Sequence, residues 1–260
     1  MGMSDVPPLL SSADLTITVD SGVAVIAMSR PAKLNALTRD MRRDLAELLR
    51  HYGDGSQARG VVITGRGKAF SAGMDLREAA ASELDLLAEM KLFNDITRAA
   101  LITEVPVVAA LNGIAVGGAG EMALSFDARI ATAQAAISWP ETGVGLTVSN
   151  AASLFLPRLA GAPRALHLIM NSAGLSASQA LDLGLLDGIV EPEDLIPAAI
   201  RLIHRWTQPG SSTAAHLRLM RPSLRAVETS MAREAAAVRQ VQESGIAQVG
   251  IAMVLAGHGR

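Results

Sequence analysis

Residues 105–126 form an apolar stretch long enough to cross a membrane, yet Asn112, several glycines and Glu121 interrupt it. A glutamate at the centre of a lipid span is costly. An unpaired charge inside a folded protein is also unwelcome. The stretch is better explained as a buried strand at 107–111, followed by a glycine run that opens a buried helix near Gly118. A carboxylate carried into such a helix has to be paired or used.

A second glutamate follows at a similar kind of place. Ser138-Trp139-Pro140-Glu141 ends on Glu141, twenty residues after Glu121 closes Asn112-Gly113-Ile114-Ala115-Val116-Gly117-Gly118-Ala119-Gly120-Glu121. Two carboxylates that share one site can act as acid and base. Upstream stands Lys68-Ala69-Phe70-Ser71-Ala72-Gly73-Met74-Asp75-Leu76. Gly117-Gly118 at a helix start presents N–H groups that lack intrahelical partners and carry partial positive charge. A turn at Ala72-Gly73-Met74 supplies a second such group. Two converging N–H groups suit a carbonyl that becomes enolate-like, with carboxyls nearby to move protons at adjacent carbons.

Each piece alone has a plainer reading. A single glycine marks a turn or close packing. Glu121 alone is a buried, paired structural carboxylate, and Glu141 a loop residue after proline. Asp75 reads as a helix cap or a local ion pair rather than a catalytic group. Gly65-x-Gly67-Lys68 lacks the spacing of a phosphate-binding loop. The order and combination of the three segments carry the functional signal.

Around them, the pattern alternates strand and helix. Residues 15–19 and 23–29 read as a hairpin across Asp20-Ser21-Gly22. Thr38 starts a helix with Met41, Leu45, Leu48 and Leu49 on its apolar face, ending near Gly53 and Gly55. Residues 61–64 and 128–132 are short buried strands, and 82–103 has the spacing of a long helix. Ser176-Ala177-Ser178-Gln179 is a capping box, with Gly184 stopping the short helix it opens. Residues 189–190 are the last strand, and helix follows from Pro192, punctuated by Pro209-Gly210 and Arg221-Pro222. The fold class expected is α/β with buried sheets. An α/β core over 1–200 precedes a helical region over 201–260.

Composition narrows the function. With 260 residues, half of them hydrophobic, the chain can bury a large core, and with 3% aromatics that core is aliphatic. A net charge of −2 and few aromatics offer neither a basic field nor stacking platforms for nucleic acid. Cysteine is absent, which removes disulfides, thiolate nucleophiles and thiolate metal sites and fits a reducing cytoplasm. The five histidines are scattered without metal-ligand spacing, so no metal is expected. Met1-Gly2-Met3-Ser4-Asp5-Val6 has neither the basic start of a signal peptide nor a myristoylation pattern.

The quoted motifs resemble the crotonase, or enoyl-CoA hydratase/isomerase, superfamily. The likeness starts at Arg30-Pro31-Ala32-Lys33-Leu34-Asn35-Ala36-Leu37 and runs through the two glycine-bearing motifs and Pro140-Glu141. It continues in Leu156-Pro157-Arg158-Leu159 and Ala180-x-x-x-Gly184-Leu185-Leu186-Asp187. It implies a crotonase-like spiral of β-β-α units with C-terminal helices, assembled as a homotrimer or a dimer of trimers. It also implies an acyl-CoA thioester substrate, with coenzyme A part of the substrate and no further cofactor. By position, Met74 and Gly118 match the oxyanion-hole residues, and Glu121 and Glu141 match both carboxylates of the hydratases. Lys33, Ala72 and Leu76 fall along the CoA path. Hydration of a 2,3-enoyl-CoA is the activity implied. The alternatives are a double-bond isomerase and a catalytically silent acyl-CoA-binding protein. Two stretches depart from the pattern. Residues 145–152 lack the family's glycine-rich turn with proline, which bears on pocket shape and preferred reaction. Residues 242–250 retain little of the CoA-binding tail.

Overall fold

A computed structural model describes residues 12–81 and 84–257. Residues 1–6, read above for targeting signals, and Ser82, the expected start of the long helix, lie outside the described residues. Strands β1 (Leu15–Asp20) and β2 (Val23–Met28) form the expected hairpin. Its two-residue turn places both Ser21 and Gly22 at positive φ, which matches the twist of paired strands. Helix α1 (Arg39–Gly53) begins where Thr38 Oγ1 accepts the Met41 N–H at 3.2 Å. Its face of Met41, Leu45, Leu48 and Leu49 is fully buried.

The chain then repeats one theme. Strand β3 (Val61–Gly65), β4 (Ala69–Ser71), α2 (Leu76–Ala81) and α3 (Leu86–Ile102) form one unit. The next is β5 (Val107–Leu111), β6 (Ile114–Val116) and α4 (Gly118–Leu124). The third is β7 (Ala128–Thr132), β8 (Ala136–Ser138), a 3-10 turn Glu141–Val144, α5 (Ala152–Ala160) and α6 (Ala162–Met170). Then come β9 (Gly174–Ser176), α7 (Ala177–Asp182) and β10 (Gly188–Val190). Each unit lays one strand in a six-stranded sheet, order β1-β2-β3-β5-β7-β10, and one in a four-stranded sheet, order β4-β6-β8-β9. From β2 onward the larger sheet is parallel. The result is the expected spiral. Residues 105–126 divide into β5, β6 and α4, and among the described residues no helix is long and apolar enough to cross a membrane.

Strand alternation decides what lies on each face. Ala24, Ile26, Val61, Ile63, Val107 and Ala109 point into the main core with α1 and α3. Their neighbours Val23, Val25, Val62, Val108 and Ala110 point the other way, onto α8 (Leu195–Trp206). Helix α8 docks through Leu195, Ala199, Ile200 and Ile203. The boundary expected near residue 200 thus falls inside a helix that packs on the sheet. Helices α9 (Thr213–Met220), α10 (Leu224–Ser244) and α11 (Ile246–Gly257) complete the described chain. Arg221, at the α9–α10 junction, bonds Asp127 and the Thr103 carbonyl, tying the helical region to the core.

A smaller apolar cluster forms where α3, α10 and α11 meet, with Leu86, Met90, Val238, Ala247 and Ile251 buried. Helix α11 rests directly on the 3-10 turn that carries Glu141. A Cβ at Gly250 would stand 1.8 Å from the Val144 carbonyl oxygen, so only glycine allows this approach. Gly250→Val should therefore lift α11 from the turn and cost about 1–3 kcal/mol. Urea unfolding and hydrogen exchange of the α11 amides would measure both effects. Unchanged α11 protection would show that Gly250 does not control the contact.

Candidate active site

Three glycines let three chain segments close on one another. Gly117 takes φ 55° and ψ −128° just before α4, a conformation open to glycine. A Cβ at Gly117 would lie 2.8 Å from Glu141 Oε1, and one at Gly118 would lie 2.8 Å from the Phe93 ring. Gly73, at φ 84°, would place a Cβ 2.6 Å from the Val116 carbonyl oxygen and 3.6 Å from the Gly118 nitrogen. The 72–74 turn and the start of α4 therefore stand side by side.

The N–H groups of this junction follow from local hydrogen bonding. Leu37 N–H donates to the Gly73 carbonyl at 2.8 Å, and Asp75 N–H donates to the Leu37 carbonyl at 3.1 Å. In a parallel bridge of this kind, the residue between the two partners turns its own N–H to the opposite side. That residue is Met74. Gly118 is the first residue of α4, where an N–H has no partner within the helix.

All seven expected site residues line one cavity of about 980 Å³: Lys33, Ala72, Met74, Leu76, Gly118, Glu121 and Glu141. Lys33 is exposed at its edge. Leu86, Met90 and Phe93 of α3 form one apolar wall, and Val238, Val241, Val254 and Leu255 of α10 and α11 form another. The 145–152 run, expected to bear on pocket shape, is itself part of the wall, through Leu146, Thr147 and Ser149. Asp75 has the plain role expected of it. It pairs with Arg30 at 2.8 Å and accepts the Arg77 and Glu78 N–H groups at the start of α2. Gly65 ends β3 and Gly67 lies in the turn that follows it; a Cβ at Gly65 would strike the Ala69 carbonyl at 2.2 Å.

The two carboxyls have contrasting surroundings. Glu121, 1% exposed, receives the Ser149 N–H at 3.1 Å on both oxygens. The Ser149 hydroxyl donates to its Oε2 at 2.6 Å, and Asn150 Nδ2 at 3.2 Å. Glu141 is 6% exposed, and among the described residues its Oε2 has no hydrogen-bond partner. Burial pushes the Glu141 carboxyl up to about 7. Burial, and then the neighbouring Glu141, push Glu121 well above the carboxylate range, against the pull of the Ser149 bonds. The two titrate as a pair.

Several supporting residues give little sign in the sequence. Asn150 and Ala151 adopt φ 59° and 56°, a region that costs non-glycine residues energy. Asn94 Oδ1 accepts the Asn150 N–H at 3.0 Å, and Thr97 donates to Asn150 Oδ1 at 3.2 Å. Glu234 of α10 accepts the Ala151 and Ser153 N–H groups, both at 2.9 Å. Polar Asn94 and Thr97 on the buried face of α3 are the one available hint. Glu234 lies more than eighty residues from the backbone it holds, and nothing in the sequence connects them.

Two N–H groups beside two carboxyls can hold a carbonyl oxygen and move protons at the carbons next to it. Comparison with known proteins gives the family. Residues 18–255 match the family model described as enoyl-CoA hydratase/isomerase. A short-chain-enoyl-CoA hydratase from Clostridium acetobutylicum is 35% identical over 187 residues, covering 70% of this chain and 71% of that protein. A 1,2-epoxyphenylacetyl-CoA isomerase from Escherichia coli is 32% identical over 198 residues, covering 74% and 75%. The crystal structure of an enoyl-CoA hydratase/isomerase from Pseudoalteromonas atlantica superposes with a TM-score of 0.84 at 27% identity, covering 94% of this chain and 97% of that one. The chain belongs to the enoyl-CoA hydratase/isomerase family.

The raised Glu141 predicts a pH-dependent stability. Between its ordinary value of 4.5 and about 7, the folded protein holds this proton more than the unfolded chain does. Stability contributed at this site is therefore lost as pH rises through that window. Glu141→Gln mimics the protonated form. It should be more stable than the wild type at pH 8, by up to about 3 kcal/mol, with the difference vanishing toward pH 4.5. Urea unfolding at pH 5 and pH 8 measures this, and a pH-independent difference would remove the buried proton.

Proposed function

We propose that this protein is an enoyl-CoA hydratase, adding water across the 2,3 double bond of an enoyl-CoA thioester. The observation that carries the reading is the contrast between Glu121, surrounded by donors, and Glu141, whose Oε2 has no hydrogen-bond partner among the described residues, both lining the cavity beside Met74 and Gly118. The thioester oxygen sits between the Met74 and Gly118 N–H groups. Glu121 orients a water and takes its proton as the oxygen bonds to C3. The double-bond electrons move toward the thioester oxygen, where the two N–H groups stabilise the charge. Glu141 then gives its proton to C2. Lys33, Ala72 and Leu76 flank the CoA portion, and no separate cofactor is needed.

Isomerisation is the second reading. A single carboxyl with a free oxygen and a pKa of about 7, as at Glu141, suits a proton shuttle between two carbons. Turnover of a panel of 2-enoyl and 3-enoyl thioesters, with product identification, separates the two. Glu121→Gln and Glu141→Gln should each lower hydration by about 10²–10⁴, and the losses should not add. A harmless Glu121→Gln beside an inactive Glu141→Gln favours the isomerase. Binding without any turnover favours a silent acyl-CoA-binding protein.

The helical region over 201–260 serves as the oligomerisation region of a homotrimer or dimer of trimers in the cytoplasm. Val238 and Val241 pack within the chain's own cluster. Val249 and Met253 are 56% and 69% exposed, and Leu219 and Met220 are 77% exposed. These apolar side chains suit burial against a second copy. Light scattering should give a trimeric or hexameric mass, and a stable monomer at micromolar concentration would overturn the assembly.

A further inference from the structure

Ser149 lies in the 145–152 run that forms part of the cavity wall. It lines the cavity, and both its N–H and its hydroxyl donate to Glu121. We propose that Ser149 is a positioning residue that holds Glu121 as the ionised, water-accepting member of the carboxyl pair. This rests on the hydratase reading.

The hydrogen-bond directions carry the argument. A backbone N–H and an amide NH₂ can only donate, so three of the contacts on Glu121 require an acceptor there. Asn150 cannot swap its amide groups freely, because Thr97 Oγ1 is bonded to Oδ1 and Gly118 O accepts from Nδ2 at 3.3 Å. Asn150 Nδ2 also approaches the Ser149 oxygen at 3.4 Å. The Ser149 hydroxyl donates to Glu121 Oε2 at 2.6 Å, the length of a charge-assisted bond, while its oxygen can accept from Asn150.

The two carboxylate oxygens are then unequal. Oε2 takes the Ser149 hydroxyl, the Asn150 amide and a share of the Ser149 N–H. Oε1 takes only the other share of that N–H. Oε1 keeps the lone pairs that a water molecule needs.

The surroundings make the hydroxyl matter. The charged groups acting on Glu121 are Glu141, on the 3-10 turn, and Glu234, on α10, and both disfavour a second negative charge. Helix α3 contributes only the neutral Asn94 and Thr97 to this network. Among the described residues no cation bonds to Glu121, so donors from 149–150 are what oppose the repulsion and the burial.

Ser149→Ala keeps the backbone N–H and removes only the hydroxyl, and Ser149→Thr restores it. A bond to the charged form lowers a pKa, so its loss raises Glu121. The acid limb of kcat/KM in Ser149→Ala should move up by roughly one pH unit. The loss relative to wild type should deepen roughly tenfold from the plateau to the acid side. Ser149→Thr should recover the wild-type limb. In carboxyl-¹³C glutamate NMR, with Glu121→Gln assigning the signal, the Glu121 midpoint should rise in Ser149→Ala. An unmoved midpoint, or an equal loss at every pH, would overturn the proposal. A wild type that hydrates no enoyl thioester removes the hydratase reading. The NMR midpoint would still decide whether Ser149 holds the charge on Glu121.

Discussion

A carboxylate taken out of water has to be met by donors or keep its proton. Here two carboxyls are buried side by side and both are pushed up by burial, but they differ in how many donors surround them. Glu121 is wrapped by Ser149 and Asn150. Glu141 keeps an oxygen without any partner and is pushed toward the protonated form. That contrast in donors is the basis on which an acid and a base role are proposed for them.

Holding the donors in place recruits the rest of the molecule. Asn150 and Ala151 sit in a backbone region that they would not choose alone. Asn94 and Thr97 brace them from α3, and Glu234 braces them from α10. Glu234 is itself buried and raised by burial, so a third carboxyl is spent on fixing the first. The C-terminal helices thus reach the site twice, through this brace and through the apolar wall of α10 and α11. The same α11 bears on the Glu141 turn at Gly250.

Much of the framework was legible in the chain. Strands β3, β5 and β7 are short, mostly aliphatic segments buried on both faces, β7 also burying Arg129, and they stand out against their glycine and polar borders. Thr38 and the Ser176–Gln179 capping box announce helix starts through chemistry that acts over three residues. The four strands of the smaller sheet are three residues long and give no such signal. Three residues cannot display an alternation, and these become strands because neighbours from successive units pair with them. Helix α5 is likewise hidden, since Pro157 inside it argues locally against a helix.

For the site, sequence by itself singled out the candidate residues that line the cavity: Met74, Gly118, Glu121 and Glu141, each within a short run of recognisable composition. Those signals are local, set by backbone freedom and by a charge placed in an apolar segment. Only the tertiary structure decided how the carboxyls differ. Glu121 and Ser149 are 28 residues apart, and Glu234 is 83 from Ala151. Their hydrogen bonds depend on directions and distances across packed elements, and burial depends on every element around the cavity. Proton affinity is a property of that whole environment, which no local stretch of the chain contains.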